Sequence, residues 1–196
     1  MLDHKGTNVI ETQRLLLRPF VSSDAEFMFK NWASDREVTR FLTWNAHRSI
    51  ADSEYVINMW TSQYNENSSY NWAIVLKEIG EPIGGINVVH IYENTDTAEI
   101  GYVIGRKWWG QGIAAEAFQA IIPYLFSVGF GQIRASHAEK NPASGRVMEK
   151  CSLKYEGTLR RFFRANSGEL LDICYRSILR EEYYPEAIIP PENILK

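Results

Sequence analysis

Ala98-Glu99-Ile100-Gly101-Tyr102-Val103-Ile104-Gly105-Arg106-Lys107-Trp108-Trp109-Gly110-Gln111-Gly112-Ile113-Ala114-Ala115-Glu116-Ala117 runs as a strand, a short glycine-bearing loop and the opening of a helix. At such a junction the first N–H groups of the helix lack intrahelical acceptors and point along the positive end of the helix dipole, which suits an anion. Gly110 and Gly112 let the backbone approach an oxygen-rich ligand and permit the φ values of an N–H nest, and Ala114 keeps the next turn slim. A Walker loop would end in lysine and Ser or Thr, and a dinucleotide fingerprint would read G-x-G-x-x-G after the first strand of a parallel unit. Neither is present. The local spacing equally suits an ordinary tight turn between strand and helix.

Upstream, Tyr70 to Lys77 and Ile83 to Ile91 read as strands that pair with Thr97 to Ile104 in an antiparallel meander, with Glu81-Pro82 expected as a turn. A first strand is expected at Arg14 to Phe20. It is followed by a helix from Ser23-Asp24 to about Ala33 and a second helix started by Ser49 and Asp52 in a capping-box arrangement. The apolar stripe of that second helix is Ile50, Val56, Ile57, Trp60 and Tyr64. Downstream, a helix from Gly110 to Val128, a strand at Ile133 to Ala138 and a helix opened by Asn141-Pro142 lead into two closing strands, about Tyr155 to Arg164 and Leu170 to Leu179. The order predicts a mixed α/β sheet in one domain over 1–196, with its core at about 10–181 between a polar N-terminal tail and a proline-containing C-terminal tail.

Composition narrows the class. The chain has 196 residues, 45% of them hydrophobic, and a formal charge of −3 without long runs of either sign, so its overall field attracts neither nucleic acid nor an anionic membrane. Cys151 and Cys174 form neither a disulfide framework nor a metal pair, and the four histidines are scattered, so no metal site is expected. No apolar h-region opens the chain and no apolar run approaches the roughly 20 residues that span a bilayer. A soluble, cytoplasmic protein is expected.

The loop is similar to the cofactor motif of the GNAT superfamily of N-acetyltransferases, [Arg/Gln]-x-x-Gly-x-[Gly/Ala]. Gly112 and Ala114 match its last two positions, and Trp109 stands at the Arg/Gln position, as in the RimJ/RimL-like branch that acetylates ribosomal-protein N-termini. Thr12-Gln13-Arg14-Leu15-Leu16-Leu17-Arg18 resembles that branch's opening Thr-Glu-Arg-Leu-x-Leu-Arg strand. Asn141-x-x-Ser144-x-x-Val147-x-x-Lys150, followed by Glu156-Gly157, resembles its Asn-x-x-Ser helix. Ser152-Leu153 departs from the usual Gly-Phe.

The resemblance implies a mainly antiparallel sheet splayed between its fourth strand, Thr97 to Ile104, and its fifth, Ile133 to Ala138, with helices on both faces. It implies acetyl-CoA as co-substrate, its pyrophosphate on Trp109, Gly110, Gln111, Gly112, Ile113 and Ala114, and its pantetheine arm along the backbone of Tyr102, Val103 and Ile104 and against Asn141. An N–H of Val103 or Ile104 would then stabilise the oxyanion. Glu99 is the candidate base, on one strand face with Gly101 and Val103, its pKa expected to rise among apolar neighbours such as Ile100 and Ile104; a cation partner or a solvated edge is its structural alternative. Ser144 matches the serine that assists the leaving thiolate, and equally suits a first helical turn, just as Asn141 suits an N-cap.

His137 is a weaker candidate for the acetyl site, Arg106 and Lys107 for the phosphates, and Trp32, Trp44, Trp60 and Trp72 for a substrate cleft or the core. The resemblance implies a primary amine as acceptor, a protein N-terminal α-amine first and a small molecule such as an antibiotic as the alternative, and a homodimer fits the family. A non-catalytic acyl-CoA sensor is the alternative from another class.

Overall fold

The computed structural model describes residues 2–184; the proline-containing tail lies outside them. Eight strands form one sheet: β1 (Ile10–Glu11), β2 (Leu15–Pro19), β3 (Asn71–Leu76), β4 (Glu81–Tyr92), β5 (Thr97–Ile104), β6 (Gln132–Ala138), β7 (Lys154–Arg164) and β8 (Leu170–Leu179). They lie in the order β1-β2-β3-β4-β5-β6-β8-β7. Every neighbouring pair is antiparallel except β5 and β6. That parallel pair needs a crossover, which α4 (Ile113–Ser127) supplies.

The parallel pairing is short. It runs from Thr97 opposite Gln132 to Ile100 opposite Ala135 and stops, while β6 stays paired with β8 through Ala138. Beyond Ile100 the sheet is therefore parted between β5 and β6, the expected splay.

Both faces are covered. Phe118, Ile121 and Leu125 of α4 are fully buried against Ile100, Ile104 and Ile133 on one face. On the other face, α1 (Asp24–Met28), a π-helical turn (Phe29–Ala33), α2 (Arg36–Thr39) and α3 (Ile50–Gln63) bury Met28, Trp32 and Ile57 against Phe20, Ala73 and Val75. Helix α5 (Pro142–Lys150) follows β6 and α6 (Arg180–Tyr183) follows β8.

Several local expectations are corrected. Glu81 and Pro82 belong to β4, and the turn is 77–80, where Gly80 supplies the left-handed φ of 67°. Neither side chain of Ser23-Asp24 caps in the ordinary way. Asp24 is buried inside α1, gripped by both Nη atoms of Arg18 at 2.7 and 2.8 Å, and accepts from the Val21 N–H at 2.9 Å. Asp52 does act at the start of α3, taking the N–H groups of Arg48 and Ser49. Ile50 lies outside the apolar stripe and is exposed. Strand β1 and helix α2 are too short to carry a periodic pattern.

Candidate active site

The parted strands and the start of α4 share one corner of the molecule. Gly110 and Gly112 both adopt left-handed backbone, at φ 75° and 77°, and Gly112 is the N-cap of α4. The N–H of Glu116 bonds back to Gly112 at 3.0 Å, whereas no acceptor among the described residues meets the N–H groups of Gly110 to Ala115. Ile113 is buried, anchoring the first turn from below. Trp109 acts on the loop itself: its indole N–H donates to the Ile104 carbonyl at 2.7 Å, while half of its side chain stays exposed. The arrangement presents unpaired N–H groups on a fixed turn, which fits a diphosphate.

A clamp that the sequence does not announce fixes this turn. Arg14, just before β2, donates through Nη1 to the Gln111 carbonyl at 3.0 Å and through Nε to Glu116 Oε2 at 2.6 Å. The Thr12 hydroxyl and the Arg14 N–H bond the other oxygen of Glu116 at 2.5 and 3.1 Å. Burial opposes ionisation of Glu116, but the hydrogen bonds from Thr12 and Arg14 outweigh it and hold the carboxyl below its ordinary range. The partners are 102 residues apart in sequence, so no local spacing reveals them. The sequence signals are an acid in the first turn of a helix and the Thr12 and Arg14 of the opening-strand motif, with nothing that pairs them.

Along β5, backbone direction sorts the candidates. Gly105 donates to Ile83 of β4 at 2.9 Å. Antiparallel alternation then turns the N–H and C=O of Val103 toward β4 as well, and those of Tyr102 and Ile104 into the opening. Val103 is thereby corrected as an oxyanion donor, because its N–H is committed to the ladder. The Tyr102 side chain reaches across the opening. Its ring lies 5.8 Å from that of Phe118, and its hydroxyl sits 2.7 Å from Ser144 Oγ and 3.0 Å from the Ser144 carbonyl. Burial pushes this phenol well above its ordinary pKa. Asn141 caps α5, accepting from the Ser144 N–H at 3.4 Å.

Glu99 faces the other side of the sheet from Ile100 and Ile104, since successive side chains alternate. Ile100 and Ile104 are therefore not the neighbours of its carboxylate. Oε2 instead receives Arg134 Nη2 at 2.8 Å and the Tyr92 hydroxyl at 3.0 Å, and Arg134 lies over the rings of Tyr92 and Tyr175 at 4.2 and 5.5 Å. The carboxylate is largely shielded, 15% exposed. Gly101, next on that face, leaves room for Val89, which would stand 2.7 Å from any added Cβ.

The remaining candidates are held by other partners. His137 donates from Nδ1 to the Ala138 carbonyl and packs its ring against Gly145 of α5, where a Cβ would meet Nε2 at 2.8 Å. Arg106 pairs with Asp35 at 2.8 Å, and Lys107 lies over the Trp108 ring. Trp32 and Trp72 are fully buried in the core, with Trp44 and Trp60 packed at its margin. Cys151 and Cys174 are buried and free, and burial lifts the Cys151 thiol to about 12. Among the described residues no cluster of His, Cys, Asp and Glu is arranged to hold a metal ion.

Comparison with known proteins places this corner in context. Residues 14–154 match the Acetyltransferase (GNAT) domain. The chain is 34% identical over 173 residues, 88% of its length and 96% of the relative's, to a Bacillus licheniformis protein described as an uncharacterized N-acetyltransferase, p20. It is 24% identical over 155 residues, 76% of its length and 79% of the relative's, to the [Ribosomal protein uS5]-alanine N-acetyltransferase of Escherichia coli. Among solved structures, a GNAT-family acetyltransferase from Bacillus anthracis superposes with a TM-score of 0.78 at 29% identity, over 89% of this chain and all of that one.

Proposed function

The chain belongs to the GNAT family of acetyltransferases, and we propose that it moves the acetyl group of acetyl-CoA directly onto the α-amine of a polypeptide N-terminus. The observation that carries this reading is the parting of β5 from β6 after Ile100, beside a left-handed Gly110/Gly112 turn with unpaired N–H groups. One feature suits an extended amide arm and the other a diphosphate, and together they match the pantetheine arm and the pyrophosphate of coenzyme A. The uS5-alanine acetyltransferase relative favours a protein α-amine as the acceptor.

In this reading Gly110 to Ala114 hold the pyrophosphate, Trp109 fixes their loop on β5, and Asn141 contacts the arm through its uncommitted amide nitrogen. The N–H of Ile104, turned into the opening, would stabilise the negative charge that develops on the thioester oxygen. An α-amine has a pKa of about 7.7–8.0, so part of the acceptor is protonated near neutrality and must lose a proton before it attacks. Glu99 takes that proton, directly or through water. Ser144 hydrogen-bonds the sulfur as the C–S bond breaks.

The test is a peptide panel with free or blocked N-termini, together with small amines, incubated with the protein and acetyl-CoA. Expected are release of the CoA thiol and one added acetyl group, located by mass spectrometry on the α-nitrogen of free peptides. Turnover confined to small amines would transfer the reading to a small-molecule enzyme, and acetyl-CoA binding with no turnover would transfer it to a sensor.

A further inference from the structure

We propose that the phenol of Tyr102 is a positioning residue that turns the hydroxyl of Ser144 toward the departing sulfur. The inference rests on the reading of Ser144 as the group that meets the leaving thiolate. Tyr102 stands two residues past Ile100, the last residue of β5 that pairs with β6, so its contact with α5 bridges the open part of the sheet. Its hydroxyl lies within hydrogen-bond reach of two Ser144 atoms, Oγ at 2.7 Å and the carbonyl at 3.0 Å.

Two hydroxyls carry two hydrogens, and the geometry allows two arrangements. In one, the phenol donates to the Ser144 carbonyl and the serine donates to the phenol, which satisfies both without a ligand. In the other, the phenol donates to Ser144 Oγ and the serine hydrogen is free to point into the opening. An anionic acceptor makes a stronger hydrogen bond than a neutral one, so a developing thiolate selects the second arrangement.

The phenol is suited to this task. Burial keeps it protonated, hence a donor, and its bond polarises the serine hydroxyl cooperatively. The step balances without deprotonating either hydroxyl. The N–C bond forms, the C–S bond breaks with its electron pair going to sulfur, the amine proton leaves to Glu99 or water, and the hydrogens of Tyr102 and Ser144 stay on their oxygens.

Tyr102→Phe keeps the ring on Phe118 and removes only the hydroxyl. With acetyl-CoA and a free-α-amine peptide, kcat is expected to fall roughly ten- to a hundredfold, the size of a hydrogen bond to a charged group. The KM for acetyl-CoA and the Kd for CoA should hold, and Tm should fall by no more than the loss of one buried hydrogen bond costs. Ser144→Ala should slow the reaction at least as much, and Tyr102→Phe combined with Ser144→Ala should be no slower than Ser144→Ala, because the phenol acts only through the serine. A merely structural tyrosine would raise donor KM and add its effect to that of Ser144→Ala. Wild-type kcat in Tyr102→Phe beside a slow Ser144→Ala, or additive losses, would overturn the inference alone. Full activity in Ser144→Ala, or no turnover by the unaltered protein, would overturn it together with the reading beneath it.

Discussion

Glu99 takes all three of its hydrogen bonds on one oxygen. Oε2 meets Tyr92 and both Nε and Nη2 of Arg134, and Oε1 meets no donor among the described residues. The three bonds orient the carboxylate and leave Oε1 without a donor, so one oxygen can still take a proton. Glu99→Gln keeps the shape and removes the basicity, and kcat/KM near neutral pH is expected to fall about a hundredfold, with the loss shrinking as alkaline pH deprotonates the amine unaided. Wild-type rates across that range would reduce Glu99 to a partner for Arg134. Strand alternation made the face of Glu99 readable in the sequence. Arg134 was not readable, because it lies 35 residues away and reaches Glu99 only through the parallel register of β5 and β6.

The element of consequence is the first turn of α4, tied to the foot of β2. Its glycines were legible, since a left-handed turn before a helix has few other solutions, and both have the expected sign of φ. The tie was not legible, being made by Thr12, Arg14 and Glu116 across the fold. Its pH dependence has a definite sign. Glu116 titrates below its ordinary value of 4.5 in the folded protein, so its contribution is full above that value and is lost as pH falls through the folded pKa. Glu116→Gln is expected to lower stability by on the order of 1 kcal/mol at neutral pH, a modest amount because the pair is partly solvated. The gap from wild type should close in acid. Thermal melts of both proteins from neutrality down through the carboxylate range check this, and a gap that widens toward acid would contradict it.

At the scale of the molecule, the sheet is continuous from β1 to β5 and again from β6 to β7, and the two parts diverge where the parallel pairing of β5 with β6 ends. A ligand lying in that gap would touch both parts and stabilise the folded state by linkage. CoA at a hundredfold its Kd is expected to add about 2.7 kcal/mol to stability, read as a rise in Tm. Gly112→Asp should abolish that rise by placing a carboxylate and a strained φ at the cradle. An unchanged rise in that variant would move the diphosphate elsewhere. The sequence by itself determined the order of the longer elements, the meander ending in β5, the glycine turn and the helix that follows, because these depend on backbone propensity and on patterns a few residues long. Only the tertiary structure decided that Val103 gives its N–H to β4 while Ile104 faces the opening, that Glu99 meets Arg134 and not Ile100 and Ile104, and that Tyr102 reaches Ser144. Each depends on which strand stops pairing and where, and that is set by the packing of distant segments against one another.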